Sequence, residues 1–263
     1  MGALAGLLAG LAALAAAGAD RLDGHVDIRP PGGAEGPVPA VLLFSGCGGV
    51  RPMFDDYADA ANQAGWAAVI VDSHAARGIG RLGARLGVCT GLRMRGQDRA
   101  EDVFEALEAV RADARLDASA LALAGWSHGG WTILDAMAEA QADARAEQPF
   151  EGVKAALLVY PYCGAIIEAD TAPIGDPFPV TMVLAGKDRI ADPDDCRRLA
   201  GRRTAEGSRI EIVFEPGLTH AFDDAEQPWD PRMEYDSDGT ERSLERFQAL
   251  LRGVESQEPA RAR

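Results

Sequence analysis

From Pro39 onward the chain alternates short, unbroken apolar runs with longer stretches in which apolar residues recur every three or four positions. The runs at residues 40–44, 67–71, 121–124, 155–160, 180–184 and 210–214 have the length and the Val, Ile, Leu and Ala content of strands, without polar alternation. Strands of that kind are covered on both faces, as in a parallel sheet flanked by helices. The stretches at 53–64, 98–112, 128–140, 194–204 and 240–251 carry the helical period; in the second, Val103, Leu107 and Val110 share one face. The pattern predicts an α/β fold, a doubly wound and mostly parallel sheet with helices on both faces and no large lid. No repeat or linker divides it, so residues 20–263 are expected to form one domain.

Two stretches lack clear periodicity. Residues 78–95 are rich in Gly and Arg, and residues 223–238 are acidic and contain two prolines. In open α/β sheets ligands bind beyond the carboxyl ends of the strands, where such loops gather. Both are candidate substrate loops, with ordinary surface loops as the alternative.

Residues 1–19 are uncharged and nearly all Ala, Leu and Gly, long enough to span a bilayer, and end in Ala17-Gly18-Ala19 before Asp20. The small-x-small ending reads as a secretory signal, expected to leave a periplasmic or secreted protein with no stable membrane insertion, although the usual basic n-region is missing. A retained anchor, a cytoplasmic protein and a mis-chosen start codon are the alternatives. The 26 Lys and Arg against 41 Asp and Glu give a net charge of -15, which argues against a nucleic-acid partner. Four cysteines without C-x-x-C spacing do not indicate a zinc ribbon or a thioredoxin-like pair.

The chemistry begins at Gly125-Trp126-Ser127-His128-Gly129, a G-x-S-x-G sequence that follows an apolar run and opens an amphipathic stretch. With eight serines and 30 glycines, about 0.1 such matches are expected by chance. Small flanking residues let strand and helix close on a nucleophile held in a sharp turn. A serine hydroxyl needs a base to take its proton and an acid to orient that base. Asp188 and His220 each fall just past a predicted strand, and the order Ser127, Asp188, His220 is that of α/β-hydrolases. An oxyanion hole needs two main-chain N–H donors. His128 follows the nucleophile, and Cys47 lies in the glycine-rich loop Ser45-Gly46-Cys47-Gly48-Gly49, which matches no phosphate-binding motif.

The chain resembles the dienelactone hydrolase branch of the α/β-hydrolases over nearly its whole body. The likeness rests on Gly46-Cys47-Gly48-Gly49, Asp72-Ser73 with Arg77-Gly78, the Ser127 motif, Tyr160-Pro161-Tyr162-Cys163, Gly186-Lys187-Asp188 and His220-Ala221-Phe222-Asp223. The resemblance implies hydrolysis of small-molecule carboxylic esters or lactones, without metal or organic cofactor. Enzymes of this branch that open dienelactone use a cysteine nucleophile. Ser127 therefore shifts the expectation toward broader serine esterases.

Arg77 is a candidate clamp for a substrate carboxylate, or else the partner of an acidic side chain; Trp126 is a second candidate substrate contact. His25 is expected at the surface. The His128 ring has no required role beyond lining the cleft, with a second base as the minor alternative. Given the sheet, the strand ends permit disulfides Cys47–Cys89 and Cys163–Cys196, against four reduced thiols in a cytosolic enzyme. A peptidase or acyltransferase of the same fold, or a non-catalytic binding protein, are the competing functions. Oligomeric state and natural substrate are not legible in these residues.

Overall fold

The computed structural model of the protein describes residues 21–142 and 149–257; the signal-like run 1–19 lies outside them. Among the described residues seven strands form one sheet: β1 (Val26–Arg29), β2 (Val38–Phe44), β3 (Ala67–Val71), β4 (Leu116–Trp126), β5 (Val153–Val159), β6 (Val180–Ala185) and β7 (Ile210–Glu215). Their spatial order is β1-β3-β2-β4-β5-β6-β7, with β1 antiparallel to β3 and every other pair parallel. Among the same residues five long helices cover it: α1 (Met53–Gln63), α2 (Gly96–Ala112), α3 (His128–Ala142), α4 (Pro193–Ala205) and α5 (Ser237–Gln257).

Alternation along β2 divides the interior in two. Leu42 and Phe44 join Ala100, Val103, Ala106, Leu107 and Val110 of α2 and Ile133, Leu134 and Met137 of α3 on one face. Val41 and Leu43 meet Phe54, Tyr57 and Ala61 of α1 and Phe247 and Leu251 of α5 on the other. Both faces of the central strands are buried, which is why those strands read as continuous apolar runs. The sequence of crossovers reverses at β2, whose neighbours are β3 on one side and β4 on the other. The loops leaving the carboxyl ends of β2 and β4 border the crevice created by that reversal.

The antiparallel edge strand β1 is an element the apolar pattern did not predict. Its four residues are half-buried or exposed, as an edge position allows. The stretch 78–95 is also more ordered than its sequence suggests. A helical turn, Arg81–Gly83, runs into a π-helical turn, Ala84–Val88, and Ile79, Ala84, Val88 and Met94 form a small core of their own against Cys47. Gly78, Gly80, Gly83 and Gly87 interrupt the side-chain rhythm there and hide the helical period. Among the described residues, no helix is long and apolar enough to cross a membrane.

Candidate active site

Strand β4 ends at Trp126 and helix α3 begins at His128, so Ser127 alone makes the turn, with φ of 51°. That left-handed conformation is rare for a residue with a Cβ and is held by its surroundings. The Ser127 N–H donates to the Val159 carbonyl at 3.0 Å, and the Ser127 carbonyl accepts from Trp131 N–H at 3.1 Å. The flanking glycines are required by close approach. A Cβ at Gly125 would lie 2.6 Å from the Gly129 carbonyl carbon, and one at Gly129 would lie 2.0 Å from the Phe44 carbonyl oxygen. The second contact presses the elbow against the end of β2.

The loops after β6 and β7 bring Asp188 and His220 to this turn. His220 Nε2 lies 2.9 Å from Ser127 Oγ, and His220 Nδ1 lies 2.6 Å from Asp188 Oδ2. The other carboxylate oxygen of Asp188 accepts the main-chain N–H of Ile190 at 2.8 Å and of Ala191 at 2.9 Å, leaving Oδ2 to the imidazole. A carboxylate fixed in this way assigns the proton to Nδ1 and leaves the Nε2 lone pair facing the serine hydroxyl. The loop bearing His220 is tied back on itself, Glu234 N–H donating to Thr219 Oγ1 and Asp236 N–H to the Phe222 carbonyl. All three side chains are nearly buried.

The loop after β2 forms the opposite wall. A Cβ at Gly46 would stand 3.4 Å from Ser127 Cβ, so the loop passes close over this serine. Among the described residues, neither the Cys47 N–H nor the His128 N–H has an acceptor. Cys47 is bonded to Cys89, and Cys163 to Cys196, with Cα separations of 4.9 and 5.0 Å. The Cys47–Cys89 bond ties the loop to the stretch 78–95. His74 donates through Nε2 to the Cys47 carbonyl at 3.1 Å, and burial followed by the nearby Arg99 charge pushes this imidazole down to about 4. The same two causes push His128 down to about 3. Its Nε2 donates to the Met94 carbonyl at 3.1 Å, so the ring is committed inward and is not a second base for Ser127.

Two sequence expectations are corrected here. Arg77 is not free to clamp a substrate: both arms of its fork engage Asp102, at 2.7 and 2.9 Å, and the Asp102 side chain is fully buried. A buried carboxylate holds the guanidinium more firmly than an exposed one would. Trp126 is not a substrate contact either. Its side chain points into the interior, 4.9 Å from the Phe54 ring and 4.5 Å from the Tyr57 ring, and its Nε1–H donates to Asp223 at 3.0 Å. Alternation in β4 sends it to the face opposite the helix that follows.

Asp223 has a place that sequence reasoning missed. Its carboxylate accepts hydrogen bonds from Tyr57, Tyr160 and Trp126 at a fully buried point, and burial holds it above the usual carboxylate range. The Tyr160 ring lies 4.7 Å from that of His220. The signal available was its position three residues after His220. Among the described residues, no group of three or more His, Cys, Asp or Glu is arranged to hold a metal ion.

A doubly wound sheet with a strained serine after β4, the fourth strand in space from either edge, defines the α/β-hydrolase class, with no lid among the described residues. Solved structures with this fold include a dienelactone hydrolase-like promiscuous phosphotriesterase from metagenomic libraries, 18% identical, TM-score 0.66, covering 88% of this chain and 99% of that one. Est1E from Butyrivibrio proteoclasticus, with ferulic acid bound, is 13% identical, TM-score 0.62, covering 90% of this chain and 98% of that one. Esterase 2 of Thermogutta terrifontis, phosphoramylated by tabun, is 19% identical, TM-score 0.63, covering 90% and 91%. No curated protein matches the sequence. The model of the dienelactone hydrolase family matches residues 28–254. The chain belongs to that family and is a carboxylic ester hydrolase.

Proposed function

We propose that the protein is a serine esterase that cleaves small carboxylic esters or lactones through an acyl-enzyme formed on Ser127. The observation that carries this reading is the unbroken chain Ser127 Oγ to His220 to Asp188, at 2.9 and 2.6 Å, behind a serine at φ 51°. His220 Nε2 takes the Ser127 proton as Oγ attacks the carbonyl carbon. Asp188 stabilises the imidazolium through Nδ1–H. The N–H groups of Cys47 and His128 receive the oxyanion. Collapse of the tetrahedral intermediate breaks the ester C–O bond, and His220 returns its proton to the leaving alcohol oxygen. Water activated by the same imidazole then attacks the acyl carbon, releasing the carboxylic acid and restoring Ser127.

We further propose export, followed by removal of residues 1–19. Two disulfides among the described residues fit an oxidising compartment. Recovery of a soluble periplasmic or culture-fraction protein beginning at Asp20 supports this, and a membrane-retained chain beginning at Met1 opposes it.

The catalytic reading is tested by mixing the enzyme with p-nitrophenyl acetate, quenching early and locating the acetyl group by peptide mass. The expected result is acetylation of Ser127, with turnover lost by about 10³-fold or more in Ser127→Ala. Unchanged turnover in Ser127→Ala overturns it.

A further inference from the structure

Arg99, in the first turn of α2, is fully buried, yet among the described residues it has no carboxylate hydrogen-bond partner. Asp102, one turn further along, has both oxygens committed to Arg77. Arg99 donates instead to neutral groups: Nε to Ser73 Oγ at 2.8 Å, Nη1 to the Ser45 carbonyl at 2.6 Å and Nη2 to Ser45 Oγ at 3.4 Å. Nη1 also lies 3.5 Å from His128 Nδ1. Because Nε2 of that ring donates to Met94, Nδ1 carries a lone pair and accepts from the guanidinium.

Burying a guanidinium whose hydrogen bonds all go to neutral groups is costly, with the Asp102 and Asp72 charges acting on it only through space. What it holds is specific. Ser45 begins the loop that carries the Cys47 N–H, and His128 carries the other N–H assigned above to the oxyanion. The two donors follow different strands, Cys47 in the loop after β2 and His128 at the start of α3 after β4, and Arg99 reaches both segments. It touches neither the serine nor its base.

We propose that Arg99 is a positioning residue for the reaction: its guanidinium ties the Ser45 loop to His128, setting the spacing of the two oxyanion donors, and places a fixed positive charge behind them. The inference rests on the serine-esterase reading above. Its consequence is selective: the anionic tetrahedral state loses stabilisation when Arg99 is removed, whereas binding of the neutral ester does not. An arginine serving only to fill and hold the fold would make no such distinction.

The test compares Arg99→Met and Arg99→Lys with the wild type, using p-nitrophenyl acetate and an aryl trifluoromethyl ketone, which accepts Ser127 to give a tetrahedral oxyanion. In folded Arg99→Met, kcat is expected to fall by about 10- to 100-fold with KM moved by less than about threefold. The ketone should lose affinity by the same factor as kcat/KM. Arg99→Lys should recover part of both, since it restores the charge without the planar fork. Unchanged kcat in folded Arg99→Met, or a fall in kcat with full ketone affinity, overturns the proposal. If the Met variant does not fold, Arg99→Lys carries the test: kcat and ketone affinity fall together by about fivefold or more, or the proposal fails. Wild-type turnover that is lost in Ser127→Ala keeps the esterase reading standing whichever way Arg99 falls.

Discussion

Replacing Asp223 by alanine removes the acceptor shared by three buried donors. Tyr57 O–H keeps an alternative in Ser243 Oγ at 2.8 Å, but Tyr160 O–H and Trp126 Nε1–H are left without one. An orphaned buried donor costs about 1–3 kcal/mol, so the two together cost about 2–6 kcal/mol. Relief of the buried carboxyl's own desolvation offsets part of this, giving a net loss of about 3 kcal/mol. For a domain of this size each kcal/mol lowers Tm by about 2–4 °C, which places the drop at about 6–12 °C. Asp223→Asn keeps one acceptor oxygen and should lose about half as much. Differential scanning calorimetry on the three proteins measures it. Activity should fall with stability, because Tyr160 supports the His220 ring. A Tm for Asp223→Ala within about 2 °C of the wild type refutes the reasoning.

Other substitutions separate the roles of neighbouring residues. Gly129→Ala forces a Cβ against the main chain of Phe44 and Ser45 and should cost about 3 kcal/mol or more in urea denaturation; Gly201→Ala, in α4 with nothing within 4 Å of its Cβ, should gain about 0.5–1 kcal/mol. Arg77→Ala strips buried Asp102 of its close partner, leaving Arg21 at 3.7 Å, and should cost about 3 kcal/mol in the same assay. Its KM for an ester bearing a free carboxylate should nevertheless move by less than about threefold, and a rise confined to that ester would reinstate the clamp. Burial raises Asp135 to about 7, above its unfolded value of 3.8, so its contribution to stability is full below the unfolded value and is lost as pH rises through about 7. The indole N–H of Trp131 donates to this carboxyl, and its NMR resonance should titrate with that midpoint; a flat response from pH 5 to 9 contradicts the assignment.

The residues differ in how openly the sequence declares them. Six strands and the five long helices are legible because each buries a continuous run or a single stripe. The edge strand β1 buries too little to leave such a trace, and the glycines at 78, 80, 83 and 87 break the rhythm of the turns between them. Ser127, Asp188 and His220 are legible from the G-x-S-x-G motif, from the strand that each follows and from the family resemblance, and the structure brings the three within hydrogen-bonding reach. Arg77 and Trp126 illustrate the opposite case. Proximity in sequence to a site does not give side-chain direction, and the partners that decide it, Asp102 and Asp223, lie 25 and 97 residues away. Arg99 did leave a mark that went unused: it sits four residues before Val103, on the apolar stripe of its helix, where a charged side chain is unexpected.

The central claim is that Ser127 is an activated nucleophile, and labelling with a fluorophosphonate probe tests it most directly. The protein lacking residues 1–19 should be labelled on Ser127 and lose ester turnover in step with labelling, while folded Ser127→Ala does neither. Folded wild-type protein that neither labels nor turns over an ester would contradict the account.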